Sequence, residues 1–444
     1  MKFHLQTFGC QMNVYDSESI AGILRASGHE TVDSLQQADF ALINTCSVRR
    51  GAETRVIGQL GHLKTLKSRG IIRYIGVCGC MAQKHGEDLL DRRDYIDLLL
   101  GPSALSALPN LLDRLEAGET PIIELSRMDV EDRGVFSPLD GPISYPRFIT
   151  IMKGCDRHCS YCVVPYTRGP QCSRQPERIL DEIRQLVDRG YREVILLGQT
   201  VNSYRSGDVD FVDLLEKVNA IEGLRRIRFA TSYPADATER LLFALRDLYK
   251  VCEQLHLPVQ CGSNRILEAM QRGHNKEDYL RILDRLREIF DGADSEHVPA
   301  LSTDLIVGFP GETTSEFEET LDLMRRVRWD SAFMFKFSIR PGTPAATMPN
   351  QIDEEEKSRR LAQVIELQHH ISREISEALI GKTVEVMLDQ STADKKSGAE
   401  WDGRSRQGRT VKVSGTALDA RPGDIVRVKV ERATSYTLFG KVVL

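Results

Sequence analysis

Three cysteines within eight residues constrain this chain more than any other feature. Cys155, Cys159 and Cys162 follow the apolar run 148–152 with the spacing C-x3-C-x2-C. Three thiolates delivered by one short loop are typical of a metal site. A tetrahedral zinc site normally closes with four protein ligands, whereas a 4Fe-4S cluster held by three leaves one iron open to a small molecule. The loop therefore predicts either an open iron–sulfur centre or a zinc knuckle with Cys172 as the fourth ligand.

Residues 1–118 alternate short apolar runs with helical patterns, which predicts a parallel sheet covered by helices. Ligands bind such sheets outside the carboxyl ends of the strands. Cys10, Cys46 and Cys80 each follow a predicted strand, in segments that contain Gly or Asn. We expect these loops to bring three thiolates to one edge and to hold a second iron–sulfur cluster, although small buried residues would also explain them. Cys78 is either a core residue or a competitor of Cys80.

The central region, residues 141–375, follows a linker whose clearest turn signal lies at 137–142. Six apolar runs separated by helical patterns predict a partial (β/α)6 barrel of the TIM type, with its chemistry at the carboxyl ends of the strands. Each run ends in a polar or glycine-containing segment. Gln199, Asn202 and Ser232 lie in these segments and are candidates for binding a small-molecule cofactor at the mouth.

Residues 378–444 change to short alternating runs separated by turn residues, which predicts a small antiparallel β-barrel. From residue 381 onward there are twelve Lys and Arg against eight Asp and Glu. Trp401, Arg404, Arg406 and Arg409 are predicted to share one loop. Cations beside an aromatic ring suit phosphate contact and base stacking, so this loop is a candidate RNA-binding surface. An ordinary charged surface loop is the alternative.

Bulk composition narrows the class of protein. The 444-residue chain has 28% charged residues and a net charge of −5, so any RNA contact must come from local patches. We expect no membrane span and no signal peptide, and therefore a cytoplasmic protein whose ten cysteines serve metals or catalysis rather than disulfides.

Arg168 beside Gly169 is a candidate for pairing with an RNA phosphate or a cofactor carboxylate. A solvated loop arginine would explain it equally well.

Extended stretches across the whole chain resemble one known family, the methylthiotransferases among the radical S-adenosylmethionine (SAM) enzymes. The resemblance is greatest to the tRNA-modifying branch that makes 2-methylthio-N6-isopentenyladenosine. The stretches, in chain order, are TFGCQMN, NTCSVR, GCMAQ, GCDRHCSYCVVPYTRG, STDLIVGFPGET and FKFSIRPGTPAA. The resemblance implies an amino-terminal methylthiotransferase domain, a radical SAM core and a terminal RNA-binding TRAM domain.

The resemblance also implies the cofactors and their ligands. Cys155, Cys159 and Cys162 would hold a SAM-cleaving 4Fe-4S cluster, with Tyr161 beside the SAM, and Cys10, Cys46 and Cys80 would hold an auxiliary 4Fe-4S cluster. Catalysis would centre on the clusters, with no single catalytic side chain assigned. One SAM would supply the methyl group, and another would yield the radical that activates the adenine C2–H bond. The expected partners of a monomeric enzyme are the tRNA anticodon stem-loop, an electron donor protein and a sulfur source.

Three positions depart from the family pattern. Thr200 replaces a usual Asn, Cys261 replaces a common Ser, and residues 170–172 read Pro-Gln-Cys where charged residues are frequent. Because of the last departure, the resemblance supports the reaction more strongly than it supports the substrate. Related substrates are N6-threonylcarbamoyladenosine in tRNA and an aspartate of a ribosomal protein. The alternative of a different class is a non-catalytic RNA-binding protein that contains zinc.

Overall fold

The computed structural model describes residues 1–47, 50–126, 143, 145–293, 297–394, 399–415 and 419–443. The described residues form two compact units. One contains the amino-terminal region together with Met152–Arg157 and Cys162–Arg174, and the other contains the remainder. The turn signal at 137–142 and the predicted start of the central domain at residue 141 lie outside the described residues.

The amino-terminal unit contains a six-stranded parallel sheet. Its strands are β1 Lys2–Phe8, β2 Glu30–Thr31, β3 Phe40–Thr45, β4 Tyr74–Gly79, β5 Leu98–Leu100 and β6 Ile122–Glu124. Its helices are α1 Gln11–Ala26, α2 Arg50–Ser68, α3 Cys80–Asp91 and α4 Leu108–Glu116. The strand order is β2-β1-β3-β4-β5-β6, and every neighbouring pair is parallel. The alternation of strands and helices predicted this arrangement.

Helices cover both faces of this sheet. Strands β3 and β4 are buried along their whole length, as expected for parallel strands covered on both sides. Phe40 and Leu42 pack into a cluster with residues of α1 and α4. Ala41 and Ile43 point the other way and pack with residues of α2. The period of two along β3 thus divides its side chains between two apolar layers.

The order of the sheet reverses between β1 and β3. The chain leaves β1 for β2 on one side and then crosses to β3 on the other side. Such a reversal opens a crevice outside the carboxyl ends of the strands. The register aligns Phe8 with Thr45 and Thr45 with Gly79, so β1, β3 and β4 end level with one another. Cys46 and Cys80 are the next residues after β3 and β4, at this crevice.

The middle of the chain alternates strands and helices. Its strands are β7 Phe148–Thr150, β8 Met152–Lys153, β9 Cys172–Ser173, β10 Glu193–Leu197, β11 Arg205–Ser206, β12 Val209–Asp210, β13 Arg226–Phe229, β14 Gln254–His256, β15 Ala300–Val307 and β16 Ser331–Lys336. Its helices are α5 Val164–Arg168, α6 Pro176–Asp188, α7 Phe211–Asn219, α8 Glu239–Asp247, α9 Asn264–Ala269, α10 Lys276–Ile289, α11 Thr314–Val327 and α12 Glu354–Glu377. The β8–β9 pair and α5 belong to the amino-terminal unit.

Six of these strands form the predicted partial barrel in the second unit. One parallel set has the order β13-β10-β7 and the other has the order β14-β15-β16. Backbone bonds join the sets: the Ile227 amide donates to the Lys250 carbonyl at 2.7 Å, and the Cys252 amide donates to the Ile227 carbonyl at 2.9 Å. The strands therefore follow one another in chain order around an open barrel, with at least one helix between each pair of neighbours.

Capping residues fix where two barrel helices begin. Asp210 accepts from the Asp213 amide at 2.9 Å, and the Asp213 side chain accepts from the Asp210 amide at 2.9 Å. Thr313 and Glu316 form the same reciprocal pair at the start of α11. Each pair satisfies amide groups that have no partner within the helix, so these side chains define the junctions between loop and helix.

The terminal barrel is closed. Its strands are β17 Thr383–Asp394, β18 Ala399–Ser405, β19 Thr410–Ser414, β20 Ile425–Ala433 and β21 Thr437–Val442, in the order β17-β18-β19-β21-β20. Val386, Val413 and Val428 pack with Trp401 in its interior. The sequence predicted an antiparallel barrel, and all neighbouring pairs are antiparallel except β19 and β21, which are parallel.

The expected loop from Trp401 to Arg409 is mostly strand. Trp401 and Arg404 lie in β18, which pairs with β19, so the connecting loop is much shorter than the composition suggested. A side chain at Gly403 would approach the Met387 carbonyl to 2.5 Å, which shows how closely β17 and β18 pack there. Among the described residues, no helix is long and apolar enough to cross a membrane.

Candidate functional site

The three amino-terminal cysteines lie where the sheet topology predicted. Cys10 is the N-cap of α1, Cys46 directly follows β3, and Cys80 is the first residue of α3. Gly79 makes the turn into α3 with a φ of 92°, and a side chain there would come within 2.5 Å of the Thr45 carbonyl. A glycine is therefore required for β4 to pass directly into α3 beside the end of β3.

A network of buried amides fixes the loops that carry Cys10 and Cys46. The side-chain amide of Asn13 donates to Asn44 Oδ1 at 3.1 Å and to the Thr45 carbonyl at 2.7 Å. The side-chain amide of Asn44 donates to the backbone carbonyl of Asn13 and to Ser17 Oγ, each at 2.9 Å. Because these groups are buried, each bond stabilises the loops more than it would at the surface. The first turn of α1 is thereby bonded to the end of β3.

The surroundings of Cys10 favour its thiolate. A hydrogen bond with Cys46, the Arg168 charge and backbone amides at Asn13 and Met12 lower its pKa to about 6, although burial alone would raise it. The bond between Cys10 and Cys46 also shows that two of the three sulfur atoms are neighbours. A thiolate is the form of cysteine that binds iron. These residues therefore suit a metal–sulfur centre chemically as well as by position.

Cys78 is a core residue. It lies within β4, is 0% exposed, and packs in the apolar cluster that contains Phe40 and Leu42. Burial raises the pKa of its thiol well above the ordinary value, and the charges of Asp16 and Cys80 act in the same direction. A neutral buried thiol is a poor metal ligand. Of the two thiols that the sequence left open, Cys80 is the better candidate.

Arg168 brings a buried positive charge to the same edge. It ends α5, six residues after Cys162, and its Nη2 donates to Asp16 Oδ2 of α1 at 2.8 Å. Burial would lower the pKa of Arg168, but the charges of Cys80, Asp16 and Cys10 raise it above its ordinary value. Its Nη1 and Asp16 Oδ1 are buried without hydrogen-bond partners among the described residues. The guanidinium is therefore buried and paired within the protein, and a contact of Arg168 with an RNA phosphate stays a prediction.

The cysteine loop begins with a tight approach between backbones. Gly154 has a φ of 75°, and a side chain there would collide with the Pro170 carbonyl. The Cys155 amide donates to the Gly169 carbonyl at 3.2 Å. Backbone amides are directed at two of the sulfur atoms: Arg157 N lies 3.4 Å from the Cys155 sulfur, and Val164 N lies 3.4 Å from the Cys162 sulfur. Such donors stabilise a thiolate.

The middle cysteine is held differently. Ser160 beside it is 0% exposed, and its amide donates to the Met270 carbonyl at 3.0 Å. Its carbonyl accepts from the Ala345 amide at 2.8 Å. Arg272 Nη1 donates to the Cys159 sulfur at 3.4 Å. Cys159 therefore meets a buried guanidinium, whereas Cys155 and Cys162 meet backbone amides.

These donor sets fit clusters held by three thiolates better than they fit a zinc ion. The fourth ligand of a zinc knuckle would be Cys172, whose side chain is exposed on β9 opposite Lys153. Within the described ranges, no three His, Cys, Asp or Glu side chains gather closely enough to hold a single metal ion. A cube contacts each thiolate through a different iron, so its three ligands need not converge on one point.

Unpaired polar atoms occur at the carboxyl ends of several barrel strands. Gln199 Oε1, Ser232 Oγ and Gln260 Oε1 are buried and have no hydrogen-bond partner within the described residues. They come from the segments after β10, β13 and β14. Buried polar atoms are normally bonded, so their unused capacity marks a place for a polar ligand. Gln260 was not among the residues proposed from the sequence.

Asn202 and Tyr161 have other partners. The side-chain amide nitrogen of Asn202 donates to the backbone carbonyl of Tyr233 at 2.8 Å, and Asn202 Oδ1 accepts from the backbone amide of Tyr233 at 2.7 Å. Asn202 therefore shapes the mouth through the backbone of a neighbouring loop. Tyr161 packs against the apolar cluster around Phe309 and Phe337. A direct contact of either residue with SAM stays a prediction.

The terminal arginines are bonded within the protein. Arg404 Nε lies 3.1 Å from Asp389 Oδ2, Arg406 Nε lies 2.7 Å from Glu253 Oε2, and Arg409 is paired with Asp330. Trp401 is 8% exposed. The sequence did not reveal the partners of Arg406 and Arg409, because Glu253 and Asp330 belong to the central barrel and lie far away in the chain. An RNA role for these four residues stays a prediction.

Two arginines of β13 hold the hairpin between β18 and β19. Arg228 donates to the carbonyls of Ser405 and Arg406, each at 2.7 Å, and Arg226 donates to the Arg404 carbonyl at 2.7 Å. Arg226 also pairs with Glu385 of β17 at 2.8 Å. Because Arg226 begins β13, the terminal barrel is bonded at the amino ends of the barrel strands, opposite the mouth.

Family models match three successive parts of the chain. An uncharacterized protein family, UPF0004, matches residues 2–101, the radical SAM superfamily matches residues 149–324, and the TRAM domain matches residues 377–443. The radical SAM match spans the cysteine loop and the barrel strands described above.

Curated relatives match over nearly the whole length. A tRNA-2-methylthio-N(6)-dimethylallyladenosine synthase of Thermoanaerobacter sp. (strain X514) is 43% identical, over 99% of this chain and 92% of the relative. The enzyme of that name from Moorella thermoacetica is 44% identical, over 99% of this chain and 98% of the relative.

Solved structures share the fold at low identity. The radical SAM methyltransferase TsrM of Kitasatospora setae, with cobalamin and a 4Fe-4S cluster bound, aligns with a TM-score of 0.58 at 14% identity, over 78% of this chain and 77% of that one. The cobalamin-dependent radical SAM enzyme OxsB aligns with a TM-score of 0.53 at 14% identity, over 83% of this chain and 56% of that one.

The partial barrel and its three-cysteine loop define a radical SAM enzyme. With identities above 40% over almost its entire length, the chain belongs to the family of tRNA-2-methylthio-N(6)-dimethylallyladenosine synthases.

Proposed function

We propose that this protein is a tRNA methylthiotransferase that adds a methylthio group to C2 of N6-isopentenyladenosine beside the anticodon. One observation carries the proposal. In this member of the family, three cysteines follow the aligned carboxyl ends of three parallel strands, and three more lie in the loop of a radical SAM barrel. Transfer of a methylthio group to an unactivated carbon needs a site that holds sulfur and a site that activates a C–H bond. The two cysteine sets supply candidates for both.

The residues divide the work between them. Cys155, Cys159 and Cys162 would hold the cluster that binds SAM, and Cys10, Cys46 and Cys80 would hold the auxiliary cluster. When bound, these groups supply reductive cleavage of SAM and transfer of sulfur and methyl. The buried Arg168 offsets the negative charge of the amino-terminal thiolates.

The mouth of the barrel would bind SAM through the unpaired atoms of its strand ends. Gln199, Ser232 and Gln260 offer acceptor oxygens that could receive the donor groups of a ribose or an ammonium. Asn202 would position the loop of Tyr233 beside them. Because the three atoms come from three strands, they can contact different parts of one extended ligand.

The remaining assignments rest on this function. A tRNA substrate implies a cytoplasmic protein, an electron donor protein and a sulfur source, and we propose that the enzyme acts as a monomer. The domains proposed are residues 1–118, 141–375 and 378–444.

The decisive experiment compares modified nucleosides in tRNA from cells with and without the gene. The deletion should remove 2-methylthio-N6-isopentenyladenosine and leave N6-isopentenyladenosine in its place. The intact gene should restore the product, and a Cys159→Ala copy should not. Loss of a methylthio group from threonylcarbamoyladenosine would instead assign the related substrate, and an unchanged nucleoside profile would reject a role in tRNA methylthiolation.

A further inference from the structure

Arg272, a buried arginine of the barrel domain, contacts one of the loop cysteines. Arg272 lies three residues after α9 and is 5% exposed. Its backbone amide donates to the Leu267 carbonyl at 3.0 Å. A charged side chain is rarely buried unless its surroundings compensate it. The partners of this guanidinium therefore indicate its purpose.

The guanidinium reaches a cluster cysteine. Its Nη1 lies 3.4 Å from the Cys159 sulfur, and its Nη2 donates to the Pro258 carbonyl at 2.8 Å. Its Nε is buried and has no acceptor among the described residues. In the set of ion pairs that the structure describes, Arg272 has no carboxylate partner. The charge is thus directed at the sulfur of Cys159.

Two further residues hold this arginine in place. The guanidinium lies 4.8 Å from the centre of the Tyr233 ring, and the Tyr233 hydroxyl donates to the Arg272 carbonyl. Asn202 bonds both the amide and the carbonyl of Tyr233. A continuous set of contacts therefore runs from the loop after β10, through the loop after β13, to the sulfur of Cys159.

We propose that Arg272, held by Tyr233 and Asn202, is a positioning residue that raises the reduction potential of the cluster bound by Cys155, Cys159 and Cys162. The inference rests on the proposed function, because it assumes a cluster at this loop. Reduction adds one electron, from an external one-electron donor, and makes the cluster more negative. A buried cation that donates to a ligand sulfur stabilises the reduced form more than the oxidised form.

The test measures the potential of this cluster alone. Cys10, Cys46 and Cys80 are replaced by Ala so that one cluster remains, and the protein is titrated anaerobically with dithionite while the reduced cluster is followed by electron paramagnetic resonance. In this background Arg272→Gln should lower the ratio of reduced to oxidised cluster at a fixed potential about tenfold, which corresponds to 59 mV for one electron. Arg272→Lys keeps the charge and should lower it less.

A matched control lies on the preceding helix. Arg265 is more than half exposed and pairs with Glu316 at 2.5 Å, so Arg265→Gln should leave the potential unchanged. Tyr233→Phe and Asn202→Ala keep the guanidinium but loosen it, and each should lower the ratio by a smaller factor. An effect of Arg265→Gln equal to that of Arg272→Gln would show a general effect of surface charge and overturn the proposal.

Iron content separates assembly from tuning. If Arg272→Gln retains about four irons with an unchanged potential, the proposal is wrong. If it loses iron, Tyr233→Phe and Asn202→Ala decide, and unchanged potentials in both would reject the proposal. The nucleoside comparison tests the proposed function independently, because a shifted potential with unaltered tRNA would keep this inference and reject that substrate.

Discussion

Polar side chains gather in two regions of the molecule, and their partners differ. One region is the crevice of the amino-terminal sheet, and the other is the hairpin between β18 and β19 of the terminal barrel. At the crevice, Cys10 bonds to Cys46 and to the neutral amide of Asn13. In the hairpin, Arg406 ends on the carboxylate of Glu253. Thiol hydrogen bonds are weak, so a metal can replace them at small cost, whereas separating a buried charge pair is expensive. The cysteines of the crevice can therefore exchange partners, whereas the arginines of the hairpin keep theirs.

The largest expected effect separates the two thiols of β4 and α3. Cys80→Ala should lower the iron of the anaerobically reconstituted protein from about eight to about four per chain, because one of two four-iron clusters loses a ligand. Cys78→Ala should keep its iron and lose about 1 kcal/mol of stability through a small cavity. Iron loss in Cys78→Ala with none in Cys80→Ala would reverse the assignment.

The hairpin should behave as a structural element. Arg406→Ala removes the arginine from the buried Glu253 and leaves it His297 as a partner, so the free energy of unfolding should fall by about 3 kcal/mol in urea denaturation. Arg421→Ala, at an exposed position of the same barrel, should change it by less than about 0.5 kcal/mol. Weakened tRNA binding by Arg406→Ala at full stability would make the hairpin an RNA surface after all.

A pair of glycines tests how tightly the crevice is built. Gly79→Ala combines a φ of 92° with a close approach to the Thr45 carbonyl, and should cost about 2 to 3 kcal/mol. Gly70→Ala has a φ of 71° with nothing within 4 Å, and should cost about 1 kcal/mol. Equal losses in thermal or urea unfolding would mean that the ends of β3 and β4 are not closely packed.

The smallest effect concerns pH. Burial raises the pKa of Asp389 to about 6, and Arg404 partly opposes that rise. The folded protein then holds its proton between about pH 4 and pH 6 while the unfolded chain releases it, so stability falls as pH rises through this range. Asp389→Asn should remove about 2 kcal/mol of that fall between pH 4.5 and pH 7. Arg404→Ala should extend the fall to higher pH, and an unchanged pH dependence of stability in both variants would contradict the pairing.

The predictable part of the site follows from topology. Cys46 and Cys80 could be brought together from the sequence because the carboxyl ends of parallel strands share an edge, whatever the details of packing. The six-strand barrel followed from the same alternation of strands and helices. The sequence favoured Cys80 over Cys78 but left some doubt, because that choice depends on which thiol the strand places in the core.

Side-chain partners far apart in the chain escaped prediction. Asp16 is 152 residues from Arg168, and Glu253 is 153 residues from Arg406. A composition rich in arginine identifies a charge but not whether a carboxylate will compensate it. Arg272 carried no signal either, because it follows a helix rather than a strand end. Its importance became visible only through the sulfur of Cys159.

The attachment of the terminal barrel has a geometric consequence. Arg226 and Arg228 bond to the hairpin between β18 and β19, so the terminal barrel is attached to the central barrel by side-chain contacts as well as by the chain. A barrel strand of five residues spans roughly 16 Å, so this attachment and the mouth are separated by at least the length of one strand. These bonds therefore hold the terminal barrel at a fixed distance from the mouth.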